Sequence, residues 1–244
     1  MSEETNTTPG PGPTGTAWVL VNVFTAPRDA FSALAVRPTV LLPIVALTLL
    51  NTAVIVGYYS QVDTVWLMQT MAADAGQALP PEAIEGQGGA AMMGPVMMAI
   101  GTVGGLLQVL IPLLLAAGYL TLVSLFGNDG VTFKRWLSAV AWSSMPTTIG
   151  MLSAFVNLAL NDATHMRPTE LNMLSVGNFL GLEAAGGGFV RTLLFSMDPT
   201  MLWSLALLTF GYSLWTRRSL VVSFVIIVAP LVIWLGGLGL VVGM

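Results

Sequence analysis

The sequence predicts an all-α fold: a polytopic helical bundle in a membrane, with five transmembrane helices and a short interfacial helical segment before the first span. Three observations carry this. Between flanking ionisable residues, five stretches hold no charged side chain: Pro38 to Val62, Gly86 to Asn128, Trp136 to Asn161, Pro199 to Thr216 and Ser219 to Met244. A hydrocarbon core of about 30 Å takes roughly 20 helical residues at about 1.5 Å each, and these stretches meet or approach that length. Charged residues make up only 8% of the 244, and the mean hydropathy is +0.81, too little polar surface for a chain whose solvent is water.

Taken in order, residues 1–16 (MSEETNTTPGPGPTGT) combine Pro, Gly, Thr and Glu without apolar content and read as a disordered cytoplasmic tail. Residues 17–244 form the membrane domain, with spans at about 38–60, 92–126, 136–161, 199–216 and 219–243. Ahead of the first span, Ala17 to Arg37 is apolar but interrupted by Asn22, Pro27, Arg28 and Asp29. Trp18, Val21 and Phe24, then Phe31, Leu34 and Ala35, recur at helical spacing. One or two short helices result, either lying in the interface, with Trp18 inserted and Arg28 and Arg37 at anionic headgroups, or packed under the bundle.

The second uncharged stretch is long enough for one tilted helix or two short ones, and charge decides between them. With five spans and a cytoplasmic amino terminus, Arg28, Arg37, Lys134, Arg135, Arg217 and Arg218 lie inside and only Arg167 and Arg191 outside. Splitting the stretch would divide the eight basic residues equally. One helix, about Met92 to Phe126 with a kink at Pro112, is therefore expected, and the carboxyl terminus then lies outside.

The outer loop after Asp63 should continue the first helix, break at Leu79-Pro80-Pro81 and become mobile at Gly86 to Ala90. Gly127-Asn128-Asp129-Gly130 has turn chemistry. In the second outer loop, Leu171 to Leu182 is apolar enough for a short interfacial or re-entrant helix, and Asp198-Pro199 fits a helix start with a capping carboxylate.

Within the third span, Ser138, Trp142, Pro146, Gly150, Ser153 and Asn157 share one arc at 100° per residue, a small, polar or kinked face expected to point into the bundle. Val140 and Ala141 fall outside the arc. Pro146 removes the usual donor to the Trp142 carbonyl, and a hydroxyl such as that of Ser143 is placed to replace it. Asn51 and Gln108 are natural hydrogen-bond partners for this face. Gly101 with Gly105, and Gly239 with Gly243, have the spacing of close helix contacts. The face serves either interhelical packing or a cavity or partner groove.

Composition limits the chemistry. With no cysteine and the single histidine His165 in a loop, disulfides, thiol catalysis and His- or Cys-based metal sites are excluded. No ionisable side chain lies within a span, which argues against a proton-coupled transporter, and no acid-base or nucleophile constellation suggests an enzyme. Catalytic, cofactor-binding and metal residues are accordingly none. A net charge of -4 without a basic patch excludes nucleic acid.

Three strings carry a family resemblance: VFTAPRDAFSALAVRPTVLLPIVAL from Val23 to Leu47, TFKRWLSAVAWSSMPTTIG from Thr132 to Gly150, and FSMDPTMLWSLALLTFGYSL from Phe195 to Leu214. In these and in the order of parts, the chain resembles the Yip family, the Ypt-interacting proteins, in its bacterial branch. The eukaryotic Asp-Leu-Tyr-Gly-Pro element is absent, so binding of prenylated GTPases is not carried over. The resemblance implies five spans, no catalytic residues, and a part in membrane organisation or as an accessory subunit of a transport complex. The expected function is a non-enzymatic scaffold or adaptor in a bacterial cytoplasmic (inner) membrane, in contact with lipids and with another integral membrane protein such as an ABC-type exporter. A small permease or lipid-handling channel is the alternative.

Overall fold

In a computed structural model, residues 15–74, 76–77, 89–182 and 189–242 are described, with side chains for all of these except 89–93, 189, 192 and 234–242. The expected disordered tail, up to residue 14, lies outside the described residues, as do the break at Leu79-Pro80-Pro81, the glycine run up to residue 88 and Gly243. The described residues are helical with no strand.

Two short helices come first, α1 (Thr16–Thr25) and α2 (Pro27–Val36). They part at Ala26, whose φ of -142° is not helical, and Pro27 then occupies the first turn of α2, where a missing N–H costs nothing. Asp29 in that turn complements the helix dipole. Arg37, ahead of Pro38, leaves the helical region and ends α2. The expected pair of helices is present, with Val19, Val23, Ala30, Phe31 and Leu34 buried against protein.

Then come α3 (Leu41–Tyr59) and α4 (Thr64–Asp74). The sequence reading ran α3 on past Asp63. Instead the chain turns at Ser60, and Asp63 Oδ1 accepts the N–H groups of Val65 and Trp66 at 2.9 and 3.1 Å, capping a separate helix. The long stretch forms one helix, α5 (Gly89–Gly127), which runs through both Pro95 and Pro112. Asn128 and Gly130 follow with φ of 55° and 68°, the left-handed turn expected of that string.

What was read as one third span is two helices, α6 (Phe133–Ser143) and α7 (Thr147–Leu160), bent by 41°. Pro146 is the cause, but Ser143 is not the remedy: the Trp142 carbonyl accepts the Met145 N–H at 3.2 Å, while Ser143 Oγ is buried without a partner among the described residues. Hydroxyls from Ser144, Thr147 and Thr148 instead reach the carbonyls of Val140, Ser144 and Met145 at 2.7 to 2.9 Å around the bend.

From Leu171 to Leu182, where a short interfacial or re-entrant helix was expected, a single turn, α8 (Val176–Phe179), forms. Asn172 Oδ1 takes the Leu174 N–H at 3.0 Å, and this side-chain turn competes with the helical bond. After α9 (Phe189–Ser196), α10 (Pro199–Thr216) and α11 (Leu220–Val242) complete the chain, joined where Arg217 takes a φ of 58°.

By length and apolarity, Leu41–Tyr59 and Gly94–Gly127 can each cross a membrane, and the bent α6–α7 pair makes a third. Neither α10 nor the stretch Leu220–Ile233 of α11 joins that set. In α10 the reason is visible: Thr200, Thr209, Gly211 and Tyr212 face the bundle, so its polarity is turned inward. Against the five spans expected, two to three are long and apolar enough among the described residues.

Among the described residues the core falls into two clusters. One, at the end bearing Arg28, Arg37, Lys134, Arg135, Arg217 and Arg218, gathers Val23, Phe31, Leu120, Trp136, Trp142 and Tyr212. The other, at the end bearing Asp63, Asp74, Asp162, Glu170 and Asp198, gathers Tyr58, Val62, Leu67, Leu158 and Ala163. They are called here the basic and acidic ends.

Candidate functional site

The six residues singled out on the third span divide at the bend. Ser138 and Trp142, both fully buried, converge on one atom: Ser138 Oγ and Trp142 Nε1 each donate to the Thr39 carbonyl at 2.8 Å. That carbonyl lies in the link between α2 and α3, so α6 clamps the entry to the first long helix. Pro146 is buried at the bend itself. Beyond it the face meets the acidic end. Gly150 packs on Asp198, where an added Cβ would stand 3.0 Å from Oδ2. Ser153 Oγ donates to Asn172 Oδ1 at 3.0 Å, and Asn157 Nδ2 to the carbonyls of Glu170 and Leu171 at 2.9 and 3.1 Å.

Val140 and Ala141, expected to look outward, are 4% and 0% exposed. The correction has a physical reason. Besides α3, α5 and α10, the short helices α1 and α2 also pack on α6 and cover the sides that a plain bundle would leave to lipid.

At the acidic end a polar network joins elements far apart in sequence. Asp198 caps α10 as the Asp-Pro pair suggested, its Oδ1 accepting the Met201 N–H at 2.9 Å and the Thr200 hydroxyl at 2.6 Å. Its second oxygen accepts Asn172 Nδ2 at 2.6 Å, a contact across 26 residues that no local pattern announces. The Tyr58 hydroxyl donates to the Met166 carbonyl at 2.8 Å, and Arg167 pairs with Asp74, tying the loop to α3 and α4. His165 is exposed, stacked at a tilt 5.1 Å from the Trp66 ring centre. On the same loop, the Thr164 hydroxyl and N–H, both bonded to Asp162, hold that carboxyl below the usual carboxylate range.

Between α3, α5 and α7, a cavity of about 790 Å³ reaches from Asn51 and Gln108 to Asn172 and Asp198. Asn51 and Gln108 were expected to bond the third span's polar face. Neither does so. Asn51 Nδ2 is buried without a partner among the described residues, lodged against Gly105, where a Cβ would lie 2.7 Å away. Gln108 is exposed at the cavity edge. Gly101 and Gly105 do mark a close approach: a side chain at either would run into Tyr59 or Ile55 of α3. The Gly239–Gly243 pair extends outside the described residues.

Of the interfacial candidates, Trp18 is half-buried against the basic-end core, whereas Arg28 and Arg37 are exposed. Phe24 meets Trp203 edge-on at 5.4 Å, and Phe31 meets Trp215 at 6.3 Å, so the helix pair is seated on α10.

The model of one family, the Yip1 domain, matches residues 21–241, from within α1 to the end of α11. The chain belongs to the Yip1 family. No curated protein and no solved structure matches it. In this Yip1 domain the match takes in both clusters, the bend and the cavity, and leaves out only the two ends. The Yip1 family is a family of membrane proteins and not a known enzyme family. Sequence reasoning missed the Asn172–Asp198 junction and the Tyr58 tie; it named Asn51 and Gln108, but both line the cavity and do not bond the third span's polar face.

Proposed function

We propose that this Yip1-family protein is a non-enzymatic integral membrane scaffold or adaptor that docks another membrane protein along α5. The observation that carries the reading is Gln108. It stands near the middle of a 39-residue helix, exposed, among exposed Ile100, Leu107, Ile111 and Leu115. An amide facing hydrocarbon is costly until it finds a partner, and polar side chains act as glue between membrane helices. Gly104 and Gly118, with open space at their Cβ positions, allow a second helix to come close. An ABC-type exporter is one partner class of the right kind, and anionic lipid at Arg28 and Arg37 would orient the complex.

The test is a mild-detergent pull-down with mass spectrometry, comparing the wild type with Gln108→Leu. A stoichiometric membrane partner that is lost from the variant supports docking. Equal recovery from both proteins, or no partner from either, rules it out.

The orientation belongs to the same proposal: five spans in a bacterial inner membrane, amino terminus in the cytoplasm and carboxyl terminus outside. The chain has no cysteine, so single-cysteine labelling is clean. With a membrane-impermeant thiol reagent on intact cells, Gly88→Cys is expected to react and Asn128→Cys to be protected; the reverse pattern inverts the topology.

A second reading, a small permease or lipid-handling channel, is favoured by one observation: the cavity that ends on an unpaired Asn51 amide in the bundle.

A further inference from the structure

We infer that the cavity between α3, α5 and α7 is a binding site for an uncharged lipid, one whose ester or hydroxyl oxygen accepts a hydrogen bond from Asn51 Nδ2. The inference rests on the lipid-handling reading and gives it a ligand class.

The cavity has room for a ligand. Its volume, about 790 Å³, lies within the range of roughly 300–1,000 Å³ usual for small-molecule sites. It also has an unmet demand. Asn51 lines the cavity, but its Nδ2 is turned against Gly105 and bonded to nothing among the described residues; a half-turn about the last torsion of the amide brings that donor to the cavity, whereas the Asn157 and Asn172 amides are engaged. A buried donor without an acceptor is expensive enough that native structures rarely keep one without a reason. Gly105 opposite the amide leaves it space that any side chain would take.

Depth and charge narrow the ligand. Asn51 lies ten residues into the 19-residue α3, so roughly 12 to 15 Å of helix separate it from either end. A charged headgroup at that depth would be costly. Among the described residues no lysine, arginine or histidine lines the cavity to meet a phosphate. The one carboxylate among the described lining residues, Asp198, already accepts from Asn172, Thr200 and Met201 and is not waiting for an ammonium group. What remains is a neutral head with oxygen acceptors. Val54, Ile55, Met151 and Ala154 supply an apolar wall for a chain. On the α5 side, Ile100 lines the cavity yet is 64% exposed, and Leu107 is 50% exposed beside it, so the mouth opens toward hydrocarbon and a lipid can enter sideways.

The full chain, reconstituted in nanodiscs of phosphatidylglycerol with a minor fraction of diacylglycerol, would be released into the gas phase for native mass spectrometry. Wild type is expected to retain one diacylglycerol in preference to phosphatidylglycerol. Asn51→Leu should lower that occupancy at least five-fold while leaving the thermal midpoint of the lipid-free protein unchanged or higher, because the change removes an unpaired amide. Gly104→Leu provides a second variant. Gly104 lines the cavity with nothing within 4 Å of an added Cβ, so a leucine can enter there and should block the mouth and abolish occupancy with Asn51 intact. A cavity holding water only, equal retention of phosphatidylglycerol, or full occupancy in both variants would each overturn the inference. A transfer assay between vesicles separates the two levels of the argument. Occupancy without transfer leaves the site standing and removes the channel reading; absence of occupancy removes the site itself.

Discussion

The basic and acidic ends of this bundle handle polar groups inside an apolar protein differently: one sets them in a close-packed aromatic core, the other beside a cavity. At the basic end the indole N–H groups of Trp136, Trp142 and Trp215 each have a partner: Trp136 donates to Ser124 Oγ at 2.9 Å, Trp142 to the Thr39 carbonyl at 2.8 Å and Trp215 to the Phe31 carbonyl at 3.0 Å. Trp136 also stacks on Tyr212, with ring centres 5.2 Å apart, and Arg218 reaches Asp129 at 3.2 Å beneath them. At the acidic end the polar network is just as dense around Asp198, but it borders a cavity and leaves the Asn51 amide unpaired. A close-packed aromatic cluster holds helices together even though the Ser143, Thr209 and Tyr212 hydroxyls there have no partner among the described residues; a network beside a void leaves room for something else to bind. Stability should therefore concentrate at one end and ligand sensitivity at the other.

The largest effect should come from the aromatic cluster. Trp142→Ala removes a side chain with 0% exposure and leaves both a void and a carbonyl that keeps only its Ser138 donor. A loss of about 3–5 kcal/mol is expected, read as a lowered thermal midpoint in detergent. Trp142→Phe keeps most of the volume and should cost less. If the two variants melt alike, the Thr39 hydrogen bond rather than the packing is what holds this end.

At the acidic end, two asparagines give the sharper contrast. Asn157→Leu deprives the Glu170 and Leu171 carbonyls of their donor and should cost about 1–3 kcal/mol. Asn51→Leu makes the same chemical change where there is no partner to lose, and should leave stability level or raise it. Equal destabilisation by both would mean that Asn51 is bonded in the native protein, and the contrast between the ends would shrink to one of packing.

A smaller effect separates the two halves of the third span. Val140→Leu adds a methylene inside α6, where the chain is enclosed, and should cost about 1–3 kcal/mol by overpacking. Val156→Leu on α7, at 48% exposure, should stay within about 0.5 kcal/mol. Matching melting curves would show that α1 and α2 do not cover α6 in the membrane, which restores the outward face read from the periodicity.

That last contrast also marks how far the sequence could be read. The helical arc from Ser138 to Asn157 was legible because a period of 3.6 residues is a local property, and Asp198 was legible as a cap because Asp-Pro announces a first turn. The enclosure of Val140 was not, since it depends on where two short helices more than a hundred residues earlier come to rest. The Asn172–Asp198 bond was hidden for the same reason. Periodicity also cannot reveal that a proline will divide a span: Pro112 leaves α5 continuous, while Pro146, set among Ser144, Thr147 and Thr148, bends its helix by 41°. At the second site the backbone changes to short-range bonds, Met145 N–H to the Trp142 carbonyl and Thr148 N–H to the Met145 carbonyl, with the hydroxyls of Ser144, Thr147 and Thr148 adding to them.

The smallest expected effect concerns the rim of the acidic end, where Asp162 organises the turn that carries His165. Thr164 donates to its Oδ1 through the hydroxyl at 2.6 Å and the backbone N–H at 2.9 Å, and the Thr164 carbonyl accepts the Asp63 N–H at 2.8 Å, joining the two loops of this end. These bonds favour the charged form and lower the carboxyl's pKa in the folded protein, with the nearby His165 adding to them. A folded value below the unfolded one means that the contribution is complete above the unfolded pKa of about 3.9 and is lost as pH falls through the lower folded value. Because the carboxylate is fully exposed, the gain is small. Wild type should melt slightly above Asp162→Asn at pH 6, and the gap should close toward pH 3. A gap that stays constant with pH would assign the effect to the shape of the turn, not to its charge, and would leave the acidic end without a titrating contact at this position.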